Sequence, residues 1–243
     1  MKVIYEPKGR AGEYTEKYAA NFFRGCGHVC EYCFAPAVLR MNKDEFFNSP
    51  KMRGENIIIE SFIKDLEKLP DNKEIFLSFT CDPYQPIEQE TQVTREAIFQ
   101  MIQREQPFSI LTKGGKRSAR DFDMLEEHPE LCRYGVTLVF ASNEDSLHYE
   151  PRAAPTSERI EVLAEAHQRG IRTWVSIEPA WAWEDTKNLV LQTFGVVDEY
   201  RFGKLNYHSH AKEVDWLQYK KNVVELCESL DLNYKLKRDL AVL

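Results

Sequence analysis

The stretch R-G-C-G-H-V-C-E-Y-C-F-A-P, residues 24–36, places three cysteines within eight positions. Cys26, Cys30 and Cys33 have the spacing C-x3-C-x2-C, and Tyr32 directly precedes the last of them. Three thiolates this close can hold one metal centre, but they are one ligand short of closing a structural zinc site or a fully protein-ligated iron–sulfur cluster. An open coordination position is typical of catalytic centres, because a substrate or cofactor can occupy it.

This loop resembles the signature of the radical S-adenosylmethionine (radical SAM) superfamily. In that superfamily, three cysteines hold three irons of a [4Fe-4S] cluster, and the fourth iron binds the amino and carboxylate groups of SAM. Reductive cleavage of SAM then gives a 5′-deoxyadenosyl radical that abstracts a hydrogen atom. The resemblance implies that Cys26, Cys30 and Cys33 are cluster ligands and that Tyr32 lies near the adenine.

A zinc knuckle is the alternative interpretation of the same cysteines, and it needs a fourth ligand. Cys81, Cys132 and Cys227 are isolated, and the sequence has no second C-x2-C. His28 lies between two of the cysteines and is badly placed to reach the same ion. Two further histidines are distant in sequence but can be close in space, namely His208 and His210.

Length and composition indicate one domain over residues 1–243, with a net charge of -7. We divide it into an N-terminal extension (1–19), a core (20–210) and a C-terminal helix with an edge strand (211–243). The N-terminus has no apolar signal-peptide core and no run reaches the roughly 18 apolar residues of a membrane span, so we expect a cytoplasmic protein without a membrane partner. The negative charge argues against a whole surface that grips nucleic acid, although a local basic groove remains compatible with it.

Strand and helix patterns alternate about six times along the chain. The expected strands are 20–24, 74–79, 108–112, 135–140, 171–177 and 197–203, with an edge strand at 234–237. The expected helices include 57–69, 91–104, 155–169, 184–192 and 212–230. This alternation predicts a parallel sheet, and six units fit an α/β fold of the partial, open (β/α)6 TIM-like barrel type, because a closed barrel needs eight units in about 250 residues.

Functional side chains of such barrels lie at the carboxyl ends of the strands. Polar residues follow each expected strand after the first: Thr80, Cys81, Asp82, Tyr84, Thr112, Lys113, Ser142, Asn143, Ser176, Glu178, Lys204 and Asn206. Such a ring suits a zwitterionic cofactor that carries a ribose. For any single member, an ordinary loop residue is the alternative.

The resemblance extends beyond the cysteines to the spore photoproduct lyase-related branch of the superfamily, often labelled DNA repair photolyase-like. It rests on residues 4–11, 82–88, 111–113, 120–121, 149–151, 159–161, Pro155 and Gly170. It implies that Lys113 meets the carboxylate of SAM and that Ser142 lies near the ribose. It also implies that Thr80 and Asp82 occupy the position that binds the amino group of SAM.

Three departures from that branch bear on the substrate. The serine after the fourth strand, Ser142, stands in an uncertain register. Glu178 replaces an apolar residue, so we expect it to contact the ribose or the substrate. The lyase returns a hydrogen atom from a cysteine after its second strand, and we hypothesise that Cys81, together with Tyr84, is a hydrogen donor here; a buried small residue is the alternative for Cys81.

The sequence therefore predicts a lyase-like radical SAM enzyme with a [4Fe-4S] cluster, SAM and an external flavodoxin- or ferredoxin-like electron donor. Its substrate is unidentified, and a nucleic-acid lesion is one candidate. RNA, a peptide or a small metabolite are other candidate substrates. The alternative from another class is a non-catalytic module that binds zinc or an inert cluster.

Overall fold

The computed structural model describes residues 1–13, 15, 17–54 and 57–243. Its strands are β1 (Ile4–Tyr5), β2 (Tyr18–Ala20), β3 (Phe23–Arg24), β4 (Lys51–Met52), β5 (Ile75–Leu77), β6 (Phe108–Thr112), β7 (Cys132–Thr137), β8 (Arg172–Ala180), β9 (Glu199–Lys204) and β10 (Tyr234–Leu236). Eight of them form one sheet in the order β1-β2-β5-β6-β7-β8-β9-β10, and β3 pairs with β4 separately, within this part of the chain.

The α-helices are α1 (Ala35–Leu39), α2 (Lys43–Asn48), α3 (Ile58–Leu66), α4 (Glu88–Thr91), α5 (Val93–Ile102), α6 (Lys116–Ala119), α7 (Phe122–Glu127), α8 (Asn143–Tyr149), α9 (Thr156–Gln168), α10 (Trp183–Thr193), α11 (Trp216–Ser229) and α12 (Arg238–Ala241). Short 3₁₀ turns cover Gly9–Glu13, Phe194–Val196 and Ser209–Lys212. Among the described helices, none combines the length and the apolar character needed to cross a bilayer.

The sheet is parallel from β2 to β10, and β1 is antiparallel to β2. Helices connect each strand to the next from β5 to β10, as parallel pairing requires. In the described ranges β1 and β10 are the two edges and do not pair with each other. The prediction of a partial, open barrel is therefore confirmed, and so is the edge strand near residue 234.

Two predicted strands were displaced. The first was expected at 20–24, but the chain places β2 in the main sheet and β3 in a separate two-stranded ribbon. The fourth was expected at 135–140, whereas β7 ends at Thr137. Residues 138–140 are apolar and buried, so their composition is that of a strand although they lie beyond the ladder.

Alternate residues of β8 face opposite sides of the sheet, as a strand dictates. Val175 and Ile177 join the large core under the helices, whereas Trp174 packs on the inside of the barrel. The Trp174 indole donates a 3.0 Å hydrogen bond to the Ile110 carbonyl. Gly135 makes room for this ring, because a Cβ there would lie 2.3 Å from it. The barrel interior is thus filled at mid-height.

Candidate active site

The cysteine loop is shaped by a glycine and held by a buried side chain. Gly25 has φ +89°, and a Cβ there would lie 2.6 Å from the Phe46 carbonyl oxygen. Gln85 is fully buried; its Oε1 accepts a 2.8 Å hydrogen bond from the Gly27 N–H, and its Nε2 donates a 3.2 Å bond to the Gly25 carbonyl. The backbone around Cys26 is therefore fixed from the loop that follows β5.

The three cysteines of this loop are free thiols that lie near one another. Burial raises the pKa of Cys30 to about 12, and it also raises the pKa values of Cys26 and Cys33. Negative charge on Cys30 or Cys33 raises the pKa of Cys26 further. Because these sites resist ionisation by themselves, a bound cation such as iron is what would hold them as thiolates.

His28 is committed to protein contacts and is not a fourth ligand. Its Nδ1 lies 3.4 Å from Asp82 Oδ2, and its Nε2 accepts a 3.0 Å hydrogen bond from Arg117 Nη2. Burial lowers the pKa of His28 to about 4, so the ring is neutral. In the ranges that the structure describes, no three Cys, His, Asp or Glu side chains converge on one ion. The zinc interpretation gains no fourth ligand from these residues, whereas three separate irons need no such convergence.

Lys113 follows β6, and its ammonium lies beside the cysteine loop. The side chain is 15% exposed, and its Nζ is 5.7 Å from the centroid of the Tyr32 ring. The closest carboxylate oxygen is Glu150 Oε1, at 3.9 Å, which is beyond hydrogen-bonding distance. Among the described residues the ammonium has no hydrogen-bond acceptor. A mostly buried cation with unused donors fits an incoming carboxylate.

Glu150 and Arg159 form a buried ion pair next to Lys113. Both side chains are inaccessible to solvent, and Arg159 Nη2 lies 2.5 Å from Glu150 Oε2. The Tyr32 hydroxyl donates a hydrogen bond to Glu150 Oε1. Burial alone would raise the pKa of Glu150, but Arg159 and Lys113 hold it below its ordinary value. Sequence reasoning gave these two residues no role, although both lie in the stretches that carry the branch resemblance.

Asp82 was expected near the amino group of SAM, and its oxygens are already engaged. Oδ1 accepts hydrogen bonds from Thr112 Oγ1 (2.7 Å) and from the Tyr84 N–H (2.8 Å). Oδ2 accepts a 2.7 Å bond from the Lys113 N–H. Asp82 therefore ties the loop after β5 to the loop after β6.

Ser78 directly follows β5 and carries a buried hydroxyl. Its Oγ is buried and has no hydrogen-bond partner in the described ranges. Burial raises the pKa of the neighbouring Cys81 thiol, and the nearby Ser78 side chain opposes that rise. Thr80 is half-buried, and its N–H donates a 3.3 Å hydrogen bond to Asn21 Oδ1. Ser78 and Thr80 are thus the hydroxyls that this strand end offers, and sequence reasoning missed Ser78.

The two candidate hydrogen donors differ in environment. Cys81 is buried, and burial raises its pKa to about 12, so it is a neutral thiol. Tyr84 is also buried, but its hydroxyl donates a 2.9 Å hydrogen bond to Asp121 Oδ2. The Tyr84 hydroxyl is therefore engaged by a buried carboxylate.

Ser142 lies beyond the end of β7, whereas Glu178, which was expected just after its strand, lies within β8 near its carboxyl end. Ser142 is exposed and caps α8, because its Oγ accepts a 3.0 Å hydrogen bond from the Asp145 N–H. Glu178 lies against Gly203, where a Cβ would meet its Cδ at 2.6 Å, and its Oε2 is 3.7 Å from Lys237 Nζ. Burial raises the pKa of Glu178 to about 7.

An aromatic wall stands beside Tyr32. It consists of Phe140, Tyr149 and Trp181, from the segments after β7 and β8, with ring centroids 4.6 to 5.2 Å apart. The Tyr32 centroid is 6.4 Å from those of Phe140 and Trp181. Sequence reasoning missed this wall, because its members are far apart in the chain. Its aromatic rings suit packing against a planar base.

Comparison with known proteins gives a family match over residues 20–178, to the radical SAM superfamily. An uncharacterised protein of Methanocaldococcus jannaschii is 28% identical over 164 residues, which are 67% of this chain and 60% of that one. An uncharacterised protein of Acidianus two-tailed virus is 26% identical over 191 residues, which are 73% and 61% of the two chains. The chain thus spans about three fifths of the length of these relatives.

Two solved structures share the fold. Spore photoproduct lyase complexed with dinucleoside spore photoproduct superposes with a TM-score of 0.67 at 14% identity, over 91% of this chain and 76% of that one. Streptococcus suis SuiB bound to S-adenosylmethionine gives 0.68 at 11% identity, over 90% and 49%. The family match, the three-cysteine loop and this fold together show that the chain belongs to the radical SAM superfamily, whose members use a [4Fe-4S] cluster and SAM.

Proposed function

We propose that this chain is a radical SAM enzyme that binds a [4Fe-4S] cluster through Cys26, Cys30 and Cys33 and SAM beside it. The observation that carries this proposal is the mostly buried Lys113 ammonium, which lies next to the cysteine loop without a hydrogen-bond acceptor among the described residues. When bound, the cluster and SAM supply a 5′-deoxyadenosyl radical that abstracts a hydrogen atom from the substrate. The residues of the chain bind, orient and shield these groups.

In this proposal each part of SAM meets a different strand end. Lys113 binds the carboxylate, and the Ser78 and Thr80 hydroxyls accept from the amino group. Asp82 acts through Lys113, whose N–H it holds. Tyr32 and the aromatic wall pack against the adenine, which keeps water away from the reacting carbon.

Cys81 is the proposed hydrogen donor for the substrate radical. Its neutral S–H transfers one hydrogen atom and leaves a thiyl radical, which an electron from the external donor and a proton return to the thiol. The buried Cys81 thiol is in the protonated form that this step requires. A Cys81→Ala variant should release 5′-deoxyadenosine without normal product and form by-products. Unchanged turnover without by-products would assign Cys81 to packing only.

The proposed substrate class to test first is damaged nucleic acid. Its support is the fold shared with spore photoproduct lyase and the resemblance to that branch. Glu178, near the carboxyl end of β8, and Lys237, directly after β10, would meet the substrate, because functional groups of this fold lie at the carboxyl ends of its strands. A peptide is the second candidate class, since SuiB has been solved bound to a precursor peptide.

An external one-electron donor of the flavodoxin or ferredoxin type would reduce the cluster. The sequence has no second cysteine motif that would hold a relay cluster. Cys26 and Cys33 are partly exposed and Cys30 is buried, so an electron would enter from the side of Cys26 and Cys33.

The experiment is anaerobic purification, reconstitution with iron and sulfide, and chromatographic detection of 5′-deoxyadenosine after addition of dithionite and SAM. Wild type should form it and Cys30→Ala should not. Cys132→Ala is the matched control, because Cys132 is a buried thiol on β7 away from the loop, and it should stay active. Bound zinc, or a cluster that never cleaves SAM, would contradict the proposed enzyme and support the alternative of a non-catalytic binding module.

A further inference from the structure

Three buried charges lie together beside the cysteine loop, and they do not balance. Lys113 and Arg159 are cations and Glu150 is an anion, so this charged array, as we call the three residues, carries one excess positive charge. The side chains of Glu150 and Arg159 are inaccessible to solvent, and that of Lys113 is 15% exposed. Excess charge in so dry a place is costly unless an anion arrives to compensate it.

The geometry of the array assigns Glu150 to Arg159 rather than to Lys113. Arg159 Nη2 is 2.5 Å from Glu150 Oε2, whereas Lys113 Nζ is 3.9 Å from Glu150 Oε1. Arg159 is also anchored by hydrogen bonds to the Ala154 carbonyl (2.6 Å) and the Thr137 carbonyl (3.0 Å). The excess charge therefore belongs to the Lys113 ammonium.

A second carboxylate near Lys113, that of Asp82, does not remove that charge. Asp82 binds the backbone N–H of Lys113, not its ammonium, and its Oδ2 faces His28. Arg117 lies on the far side of His28 and contributes a further positive charge to this neighbourhood.

We propose that Arg159 is a positioning residue that neutralises Glu150, so that Lys113 keeps an uncompensated charge for one incoming carboxylate, that of SAM. Without Arg159, Glu150 would take Lys113 as its own partner and would compete with the ligand. Glu150 in turn accepts from the Tyr32 hydroxyl and so holds the ring over Lys113. This inference rests on the proposed function, because it presumes that SAM is the ligand.

The test is binding rather than turnover, on the anaerobically reconstituted protein. The probes are S-adenosylhomocysteine, which carries the aminocarboxylate, and 5′-methylthioadenosine, which lacks it. Arg159→Met should weaken S-adenosylhomocysteine binding by about tenfold or more, because Glu150 then captures Lys113. The double variant Glu150→Gln/Arg159→Met should recover most of the loss, since it restores the lone charge on Lys113.

Glu150→Gln alone gives a second test if Arg159→Met fails to fold. It removes the competing anion but keeps an acceptor for Tyr32, so S-adenosylhomocysteine should bind several-fold more tightly, on the order of threefold. Binding of 5′-methylthioadenosine should be the same in every variant. Loss of a merely structural contact would weaken both probes, and would not be rescued in the double variant.

The outcomes separate this inference from the proposed function. A reconstituted wild type that binds neither probe overturns the proposed function. A wild type that binds both, with the double variant as weak as Arg159→Met or Glu150→Gln weaker than wild type, overturns the charge argument alone. Circular dichroism of each variant verifies that the comparison is made between folded proteins.

Discussion

The amide oxygen of Gln85 accepts a hydrogen bond from the Gly27 N–H, 58 residues away in the chain, and thereby fixes the cysteine loop. The amide nitrogen of the same side chain donates to the Gly25 carbonyl. Two backbone groups on either side of Cys26 thus depend on one buried side chain. In the part of the chain that the structure describes, neither group has a backbone hydrogen bond to replace it.

We expect Gln85→Leu to loosen this loop while the barrel stays folded. Two buried backbone groups lose their partner, at a cost of about 1–3 kcal/mol each. The reconstituted variant should hold less iron and lose it several-fold faster to a chelator. Gln89→Leu is the control, because Gln89 is exposed on α4. Iron retention equal to wild type in Gln85→Leu would show that the Gln85 hydrogen bonds do not hold the cysteine loop in place.

Gly135→Ala should destabilise the barrel interior. The new methyl group would lie 2.3 Å from the Trp174 ring, and overpacking of this kind costs about 1–3 kcal/mol. The midpoint temperature of thermal unfolding should fall by roughly 2–4 °C for each kcal/mol of lost stability in a chain of this size. Gly195→Ala has open space around it and should unfold like wild type. Equal unfolding temperatures for both variants would show that the ring shifts at little cost.

Ser142 can be assigned by two substitutions. As the cap of α8 it should tolerate Ser142→Asp, which also accepts from the helix N–H groups, whereas Ser142→Ala should cost about 1 kcal/mol. SAM affinity, measured by calorimetry, should be the same for Ser142→Asp and wild type. If Ser142→Asp is stable but binds SAM more weakly than wild type, the result would support the contact between Ser142 and the ribose that the sequence predicts.

Glu178 should make folding stability depend on pH in an unusual direction. Burial raises its pKa to about 7, so the folded chain keeps this proton where the unfolded chain has lost it. Stability from this group is therefore fully present below its ordinary pKa of about 4.3 and is lost as the pH rises from there through about 7. Lys237 opposes the loss only in part, because burial lowers its own pKa.

The measurement is the difference in unfolding temperature between wild type and Glu178→Gln at about pH 5 and at about pH 8. Wild type should lose stability relative to the variant on going to the higher pH. Glu184→Gln, at an exposed position on α10, should show a constant difference. An advantage of wild type that grows with pH would mean that Lys237 dominates the site.

The alternation of patterns was enough to predict most of the sheet, but not the limits of every strand. Phe108–Thr112 was predicted residue for residue, because a short β-branched and apolar run is bounded there by polar turns. Residues 138–140 misled the prediction, since burial by helices and pairing in a ladder select the same side chains. β1 was missed, because a two-residue strand carries no period.

The grouping of the candidate site residues could be predicted where neighbours in space are also neighbours in sequence, and their roles stay predictions. The three cysteines and Tyr32 are such a set, and Lys113 followed from its place after a strand. Ion pairs are different, because nothing local in a sequence says that positions 150 and 159 form a buried ion pair beside position 113. Asp82 differs again: its hydrogen bonds to Thr112 and to the Lys113 N–H join segments that are distant in sequence, and no local pattern predicts them.

The ion pair of Glu150 and Arg159 also limits which substitutions can accumulate at these positions during evolution. A mutation that removes one charge strands the other in the interior, at a cost of about 3–5 kcal/mol, and a domain has only about 5–15 kcal/mol in total. Descendants should therefore inherit both residues or replace both together, and a lineage that carries one without the other should show a compensating change at position 113. Covariation of positions 113, 150 and 159 among descendants would show that selection keeps one uncompensated positive charge, on Lys113, in this array.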